Sequence, residues 1–287
     1  MQAVKENVNR GTPDFPLNVY SFKTDVVNVA YHWHPEIEMV YLEKGEFTIT
    51  VNNESFRAAS GDIILINGGE LHAMNQNDGT VSFHSVVFYP QLLDFESKNP
   101  FQRSVLEPIK KGKLCMPRRL SAGDDCYGEV KKQFVRIIAA QKTDFPYAEQ
   151  MIALYEILLV LYKGGKLFSS SVSCGEAENI EIIKKVLAYI DGHISEKLTL
   201  KALSDCANMS EKYFCSFFSR QAGCSPIEYV NRLRIEKACE LLKTHKMSVT
   251  DTALETGFDS LSYFIRRFKR QMGLSPSQYK KQNLKNS

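Results

Sequence analysis

The spacing of apolar residues along the chain changes character twice. Through Phe88 it is short and alternating: "FTITV" (Phe47–Val51) places apolar and polar residues in turn, "DIILI" (Asp62–Ile66) is a brief apolar run, and "VSFHSVVF" (Val81–Phe88) alternates again. Turn-forming residues separate these segments at "EKGE", "VNNES" and "NGGE". Short strands at this spacing predict an antiparallel sandwich or barrel. From Asp94 onward the period becomes helical. Val130, Phe134, Ile137 and Ile138 mark one amphipathic segment, and Ile152, Tyr155, Leu158, Leu159 and Tyr162 mark a second, with Pro146 placed to open it. These two segments predict a helical hairpin over Asp124–Lys163, whose apolar faces pack on each other or on a second copy. "FSSSVSCGEAEN" (Phe168–Asn179) is small and polar and reads as a linker.

Beyond that linker the chain repeats itself. "YFCSFFSRQAGCSPIEY" (Tyr213–Tyr229) and "YFIRRFKRQMGLSPSQY" (Tyr263–Tyr279) lie 50 residues apart without a gap and share nine of seventeen residues. Each copy is preceded by a short helical segment ("TLKALSDCA" or "SVTDTALET") and a tight turn, Asn208–Ser210 or Gly257–Ser260. Each then predicts a second helix, a glycine stop at Gly223 or Gly273, and a Ser-Pro pair opening the next helix. Helix, short turn, helix is the helix-turn-helix plan, whose second helix enters the DNA major groove. In the second copy Phe264 and Phe268 share an inward face, while Leu261, Ser262, Ile265, Arg266 and Lys269 occupy the other. In the first copy Phe214 and Phe218 face in, opposite Glu211, Lys212, Cys215, Ser216 and Ser219. Ordinary amphipathic core helices with solvated charges would show the same faces, but not a duplicated turn.

Charge sharpens this division. The net charge is only +3, yet residues 195–287 carry 16 Lys and Arg against 9 Asp and Glu, leaving 20 against 24 in the first 194. A basic C-terminal half points to a polyanion. The 287 residues suffice for two domains. "MQAVKENVNR" has no apolar signal segment, and "IALYEILLVLY" is too short to span a bilayer, so a cytoplasmic protein without a membrane partner is expected. Seven cysteines, odd in number and without a C-x-x-C pair, fit a reducing compartment and not a disulfide frame.

Residues 180–284 resemble the DNA-binding domain of the AraC/XylS family of transcription regulators. "LRIEKACELL" (Leu233–Leu242) is similar to the family's linker helix, and "ETGFDSLSYFIRRFKRQMGLSPSQYKK" resembles its signature almost throughout. The resemblance implies two helix-turn-helix units joined by one rigid helix, on successive major-groove faces of double-stranded DNA. It implies base contacts from Lys212, Cys215 and Ser216 in the first unit, and from Leu261, Ser262, Ile265 and Arg266 in the second. Arg266 stands out, because a guanidinium grips guanine bidentately. Arg220, Arg267, Lys269 and Arg270 would contact phosphates. Cys215 and Ser216 are shorter than the family's commoner readers.

"YHWHPEIEMVYLEKG" (Tyr31–Gly45) carries different chemistry. If the segment is extended, strand alternation puts His32, His34, Glu36 and Glu38 in phase, with Pro35 as an interruption, and His72 follows a Gly-rich turn. His32, His34, Glu38 and Gly45, with Gly61, Asn67, Gly69 and His72, resemble the two cupin motifs, although Val26 replaces a leading glycine and Asn67 a proline. Cupin barrels often hold a divalent metal through three histidines and a glutamate, and such a donor set suits Mn, Fe, Ni or Zn. Three readings stay open: a metal-dependent enzyme, an effector-binding sensor, or structural histidines. A cupin-like barrel ahead of this DNA-binding domain is the usual AraC-type architecture and favours the sensor. Trp33, Glu36 and His84 extend the candidate effector site of His32, His34, Glu38 and His72.

The expected protein is therefore α+β in two domains. Residues 1–167 form a cupin-like antiparallel β-barrel with a helical hairpin, 168–179 a linker, and 180–287 an all-α double helix-turn-helix domain. The expected function is a non-enzymatic, homodimeric transcription activator. It would respond to a carbohydrate-like effector and work with RNA polymerase, with no required cofactor and a divalent metal as an option at the four cupin positions.

Overall fold

The computed structural model describes residues 15–52, 54–76, 79–97, 99–169, 174–243 and 247–284. The chain divides into two compact units, one built mainly from residues up to 173 and the other mainly from 174 onward.

In the first unit, eight antiparallel strands form two sheets. They are β1 (Leu17–Thr24), β2 (Val27–His32), β3 (Ile37–Lys44), β4 (Glu46–Val51), β5 (Glu54–Ala59), β6 (Ile63–Ile66), β7 (His72–Gln76) and β8 (Val81–Phe88). With the short β10 (Arg119–Leu120), they are ordered β1-β8-β3-β6-β10 in one sheet and β2-β7-β4-β5 in the other, and the short β9 (Leu114–Cys115) lies outside both. Val40, Leu42, Ile64, Ile66, Val81 and Phe83 of the first sheet meet Phe47, Ile49, Val51 and Met74 of the second in one apolar core. On the opposite face of the five-stranded sheet, Ile37, Met39, Ile63, Leu65, Val86 and Phe88 meet helices. Strand β3 is therefore covered on both faces. That is why "IEMVYL" shows no clean alternation.

The helices on that outer face are α1 (Glu107–Lys110), α2 (Tyr127–Ala140) and α3 (Pro146–Lys163), so the expected hairpin is present. Helix α2 buries Val130, Phe134 and Ile137 as its pattern indicates. In α3 the buried set is Ala153, Leu154, Ile157, Leu158 and Leu161. Of the five residues assigned to its apolar stripe, Leu158 is buried and Tyr155 is half-buried against the same core, whereas Ile152, Leu159 and Tyr162 are exposed. Helix α3 is apolar nearly all round, so periodicity alone leaves its phase undetermined.

The expected linker is also shorter than its composition indicates. Phe168–Ser169 forms β11 and pairs with β9, and α4 (Cys174–Gly192) begins inside the segment; residues 170–173 lie outside the described ones.

The second unit continues with α5 (Leu200–Cys206), α6 (Glu211–Ala222), α7 (Pro226–Lys243), α8 (Val249–Glu255), α9 (Leu261–Met272) and α10 (Pro276–Leu284). The repeat is reproduced in the packing. Phe214, Phe218 and Tyr229 meet in series in tilted and edge-to-face contacts with ring centroids 5.6 and 5.4 Å apart, and Phe264, Phe268 and Tyr279 in edge-to-face contacts at 5.6 and 5.5 Å. Ser210 and Ser260 cap α6 and α9 by accepting from Tyr213 N and Tyr263 N. The turns before these helices each need one left-handed residue: Asn208 at φ 53° in the first, Gly257 at φ 81° in the second. Gly257 is also sterically required, since a Cβ there would lie 2.7 Å from the Ile194 carbonyl oxygen. Among the described residues, no helix is long and apolar enough to cross a membrane.

Candidate metal centre and nucleic-acid interface

His32 ends β2, His34 stands at the bend after it, Glu38 is in β3 and His72 opens β7. The bend at Pro35 breaks the continuous strand that alternation assumes, and the turn 67–70 locks it. Gly69 N donates to His34 O at 2.7 Å, and Gly68 lies so close to the Pro35 carbonyl that a side chain is excluded. Asn67 has a role that the proline of the cupin motif would not fill. Its Nδ2 donates to Met116 O at 3.3 Å, its Oδ1 accepts from Met116 N at 2.8 Å, and its own N–H donates to Glu70 Oε2.

One ligand atom from each of His32, His34, Glu38 and His72 lies within 4.8 Å of all the others, and all four residues are buried. Each imidazole is oriented by its own segment of backbone. His32 Nδ1 lies 3.0 Å from Ala30 O, His34 Nδ1 3.1 Å from Glu36 O, and His72 Nδ1 2.9 Å from Glu70 O. A carbonyl oxygen only accepts, so these contacts place the proton on Nδ1 and leave each neutral ring an Nε2 lone pair. His34 Nε2 and His72 Nε2 stand 3.3 and 3.2 Å from Glu38 Oε2. Lone pairs thus meet a carboxylate, an arrangement that repels until a cation enters, whether a metal ion or a proton. Imidazole nitrogens with one carboxylate oxygen are ligands for a divalent transition metal, so the residues present fit one. Burial pushes the Glu38 carboxyl up, but when a proton is the cation, sitting on Nε2 of His34 or His72, its hydrogen bond and charge outweigh burial and hold the carboxyl well below the usual carboxylate range.

The other expected site residues are not brought into this cluster. Glu36 is buried behind His34, its Oε2 3.5 Å from His34 Nδ1. Trp33 is half-buried between the two histidines in sequence. His84 is on the wrong face: it pairs across with Tyr41 toward the helices, where its Nδ1 is 2.8 Å from Ser21 Oγ. Its neighbour Ser85 faces the interior and donates to Glu38 Oε1 at 2.6 Å. Ser85 was missed in the sequence, although alternation from Phe83 puts it in phase with the interior.

In the helical unit the expected readers are largely displayed. Lys212, Ser216, Leu261, Ser262, Ile265 and Arg266 are exposed and Cys215 is half-buried. Arg266 is braced: its guanidinium lies 5.4 Å from the Tyr263 ring, and Tyr263 OH accepts from Asn231 Nδ2 of α7 at 3.0 Å. Of the four expected phosphate contacts, Arg220, Lys269 and Arg270 are exposed. Arg267 departs. It is half-buried and lies 3.8 Å from Glu228 of α7, because its repeat position, filled by buried Phe217 in α6, faces inward in both units.

Two family profiles match the chain: a cupin domain over residues 22–89 and a helix-turn-helix domain over residues 203–282. Similar curated proteins include the "Uncharacterized HTH-type transcriptional regulator YdeC" of Bacillus subtilis (strain 168), 28% identical over 98% of this chain and 97% of that protein. The HTH-type transcriptional activator RhaS of Citrobacter koseri is 24% identical over 85% of each chain. Among solved structures, ToxT from Vibrio cholerae O395 aligns over 93% of this chain and 99% of its own, with 14% identity and a TM-score of 0.48.

Proposed function

Because the chain belongs to the AraC/XylS family of transcription regulators, with a cupin domain ahead of its helix-turn-helix domain, we propose that it is a cytoplasmic, effector-controlled activator that binds DNA as a homodimer. The observation that carries the DNA-reading part is the exposed face of α9, where Arg266, Lys269 and Arg270 stand on a buried aromatic frame. Arg266 reads a base, Lys269 and Arg270 hold phosphates, and Lys212, Ser216 and Arg220 do the same work more weakly from α6.

The barrel is the sensing part. His32, His34, Glu38 and His72 would hold a divalent cation, which when bound supplies an attachment point for hydroxyl or carboxylate oxygens of a small carbohydrate-like effector. The backbone carbonyls of Ala30, Glu36 and Glu70 keep the three imidazoles turned inward. The relatives are named as transcriptional regulators, so this donor set is read as a receptor and not as a catalytic centre.

Helix α3 provides the dimer surface. Exposed Ile152, half-buried Tyr155, and exposed Leu159 and Tyr162 recur at the three-then-four spacing of a coiled-coil seam. An antiparallel pairing sets Ile152 against Tyr162 and Tyr155 against Leu159 of a second copy, and brings Glu149 toward Lys163. The effector acts by favouring the dimer arrangement whose two DNA-binding domains fit the half-site spacing, and the activated complex recruits RNA polymerase.

The test is a duplex-binding titration at several salt concentrations, repeated after chelation and after adding sugars or small acids. Affinity should fall steeply with salt, as several phosphate contacts require, and respond to at least one effector. A flat salt response would remove the DNA-binding reading. Elemental analysis of the purified protein should find one divalent metal per chain that His34→Ala loses; its absence from the parent would remove the cation from the barrel.

A further inference from the structure

We propose that Glu36 and Ser85 are positioning residues of the His32–His34–Glu38–His72 centre, each holding one of its ligands from behind. The proposal rests on the reading of that cluster as a cation site.

Ser85 acts on Glu38. A carboxylate has two equivalent oxygens and rotates between them unless one is tied. Ser85 Oγ donates to Oε1 at 2.6 Å, the length of a charge-assisted O–H···O⁻ bond, while Oε2 faces His34 and His72. Ser85 is only 3% exposed and comes from β8, a different strand from Glu38. Its hydroxyl thus fixes which oxygen is offered to the centre.

Glu36 acts on His34. It is 1% exposed, and its Oε2 has no hydrogen-bond partner among the described residues beyond the approach of His34 Nδ1 at 3.5 Å. A buried carboxylate oxygen without a donor is unfavourable by itself. Its position makes sense once a cation sits on the far nitrogen of the same ring. Coordination at Nε2 draws electron density from the imidazole and makes the Nδ1–H edge more positive; that edge donates to the Glu36 backbone oxygen at 3.1 Å and faces the Glu36 carboxylate at 3.5 Å, whose charge it stabilises. Glu36 in turn raises the donor strength of Nε2, as carboxylates behind metal-bound histidines do. Two buried carboxylates, Glu36 and Glu38, also balance one divalent cation among three neutral imidazoles. The bend at Pro35 keeps this stacking in place, since Gly68 and Gly69 lock the backbone of residues 34–36.

The experiment is a cobalt(II) titration of the full chain, freed of metal by chelation, followed by visible absorption, for the parent, Glu36→Gln, Ser85→Ala, Ser85→Thr and His34→Ala. Glu36→Gln and Ser85→Ala should keep one cobalt per chain and bind it about 10–100-fold more weakly, whereas His34→Ala should lose it. Ser85→Thr, which retains the hydroxyl, should recover most of the parent affinity. The Glu36→Gln spectrum should shift from the parent's at saturation, a change that a merely structural role would not produce. Thermal unfolding of the metal-free forms checks folding. If Ser85→Ala is unfolded, the Ser85→Thr and Glu36→Gln titrations still decide. Parent-like affinity and spectrum in both variants would overturn the positioning roles while leaving the centre standing. A parent that binds no cobalt would overturn the centre itself, and the positioning roles with it.

Discussion

Helices α6 and α9 are built on one frame and show different faces to solvent. Inside, the ring separations of Phe214, Phe218 and Tyr229 match those of Phe264, Phe268 and Tyr279 to within 0.1 Å. Outside, α6 offers Lys212, Ser216 and Arg220 beside the acidic Glu211, while α9 offers Arg266, Lys269 and Arg270 with no acidic residue of its own. The duplicated core fixes where each helix points, and its surface decides how strongly it grips. On this account α9 carries most of the affinity and base preference, and α6 sets the spacing and adds a weaker contact.

The largest effect tests the shared frame. Phe218→Ala and Phe268→Ala each remove a fully buried ring and should each cost about 3–5 kcal/mol in urea unfolding. A small loss in one and a large loss in the other would show that the two frames are not equivalent. The readers come next. Arg266→Ala should weaken binding to a specific duplex by about 1–3 kcal/mol and relax base preference there, while Ser216→Ala, which lacks a bidentate group, should cost less than about 1 kcal/mol. Equal losses would erase the distinction between the helices, and an equal loss for Arg266→Ala on random DNA would make it a phosphate contact. A smaller effect separates phosphate contacts from paired residues. Lys269→Ala should reduce the slope of log affinity against log salt by about 1, whereas Arg267→Ala should change it less, because Glu228 already engages that guanidinium.

What was legible in the sequence follows from how each part is specified. The helix-turn-helix pair could be read almost residue by residue, because a solvent-facing helix has one apolar stripe and the second copy checks the phase of the first. Arg267 was misplaced because charge alone does not reveal that its repeat position faces α7. The phase of α3 was lost where apolar residues surround the helix: the stripe read as packing within the hairpin or on a second copy splits, with Leu158 buried and Ile152, Leu159 and Tyr162 left exposed. In the barrel, residue types and spacing exposed His32, His34, Glu38 and His72, but their convergence depends on the pairing of strands distant in sequence. His84 and Ser85 illustrate this. They are neighbours in β8 on opposite faces, and only the register against β3 shows that the serine reaches Glu38 while the histidine points at the helices.

Selection from a pool of random DNA duplexes by the full chain, followed by sequencing, tests sequence-specific reading most directly. The account predicts an enriched half-site of two unequal segments about one helical turn apart, one strongly defined and weakened by Arg266→Ala, the other loosely defined and little changed by it. Recovery of duplexes without any enriched sequence, or of a site unaffected by Arg266→Ala, would contradict it.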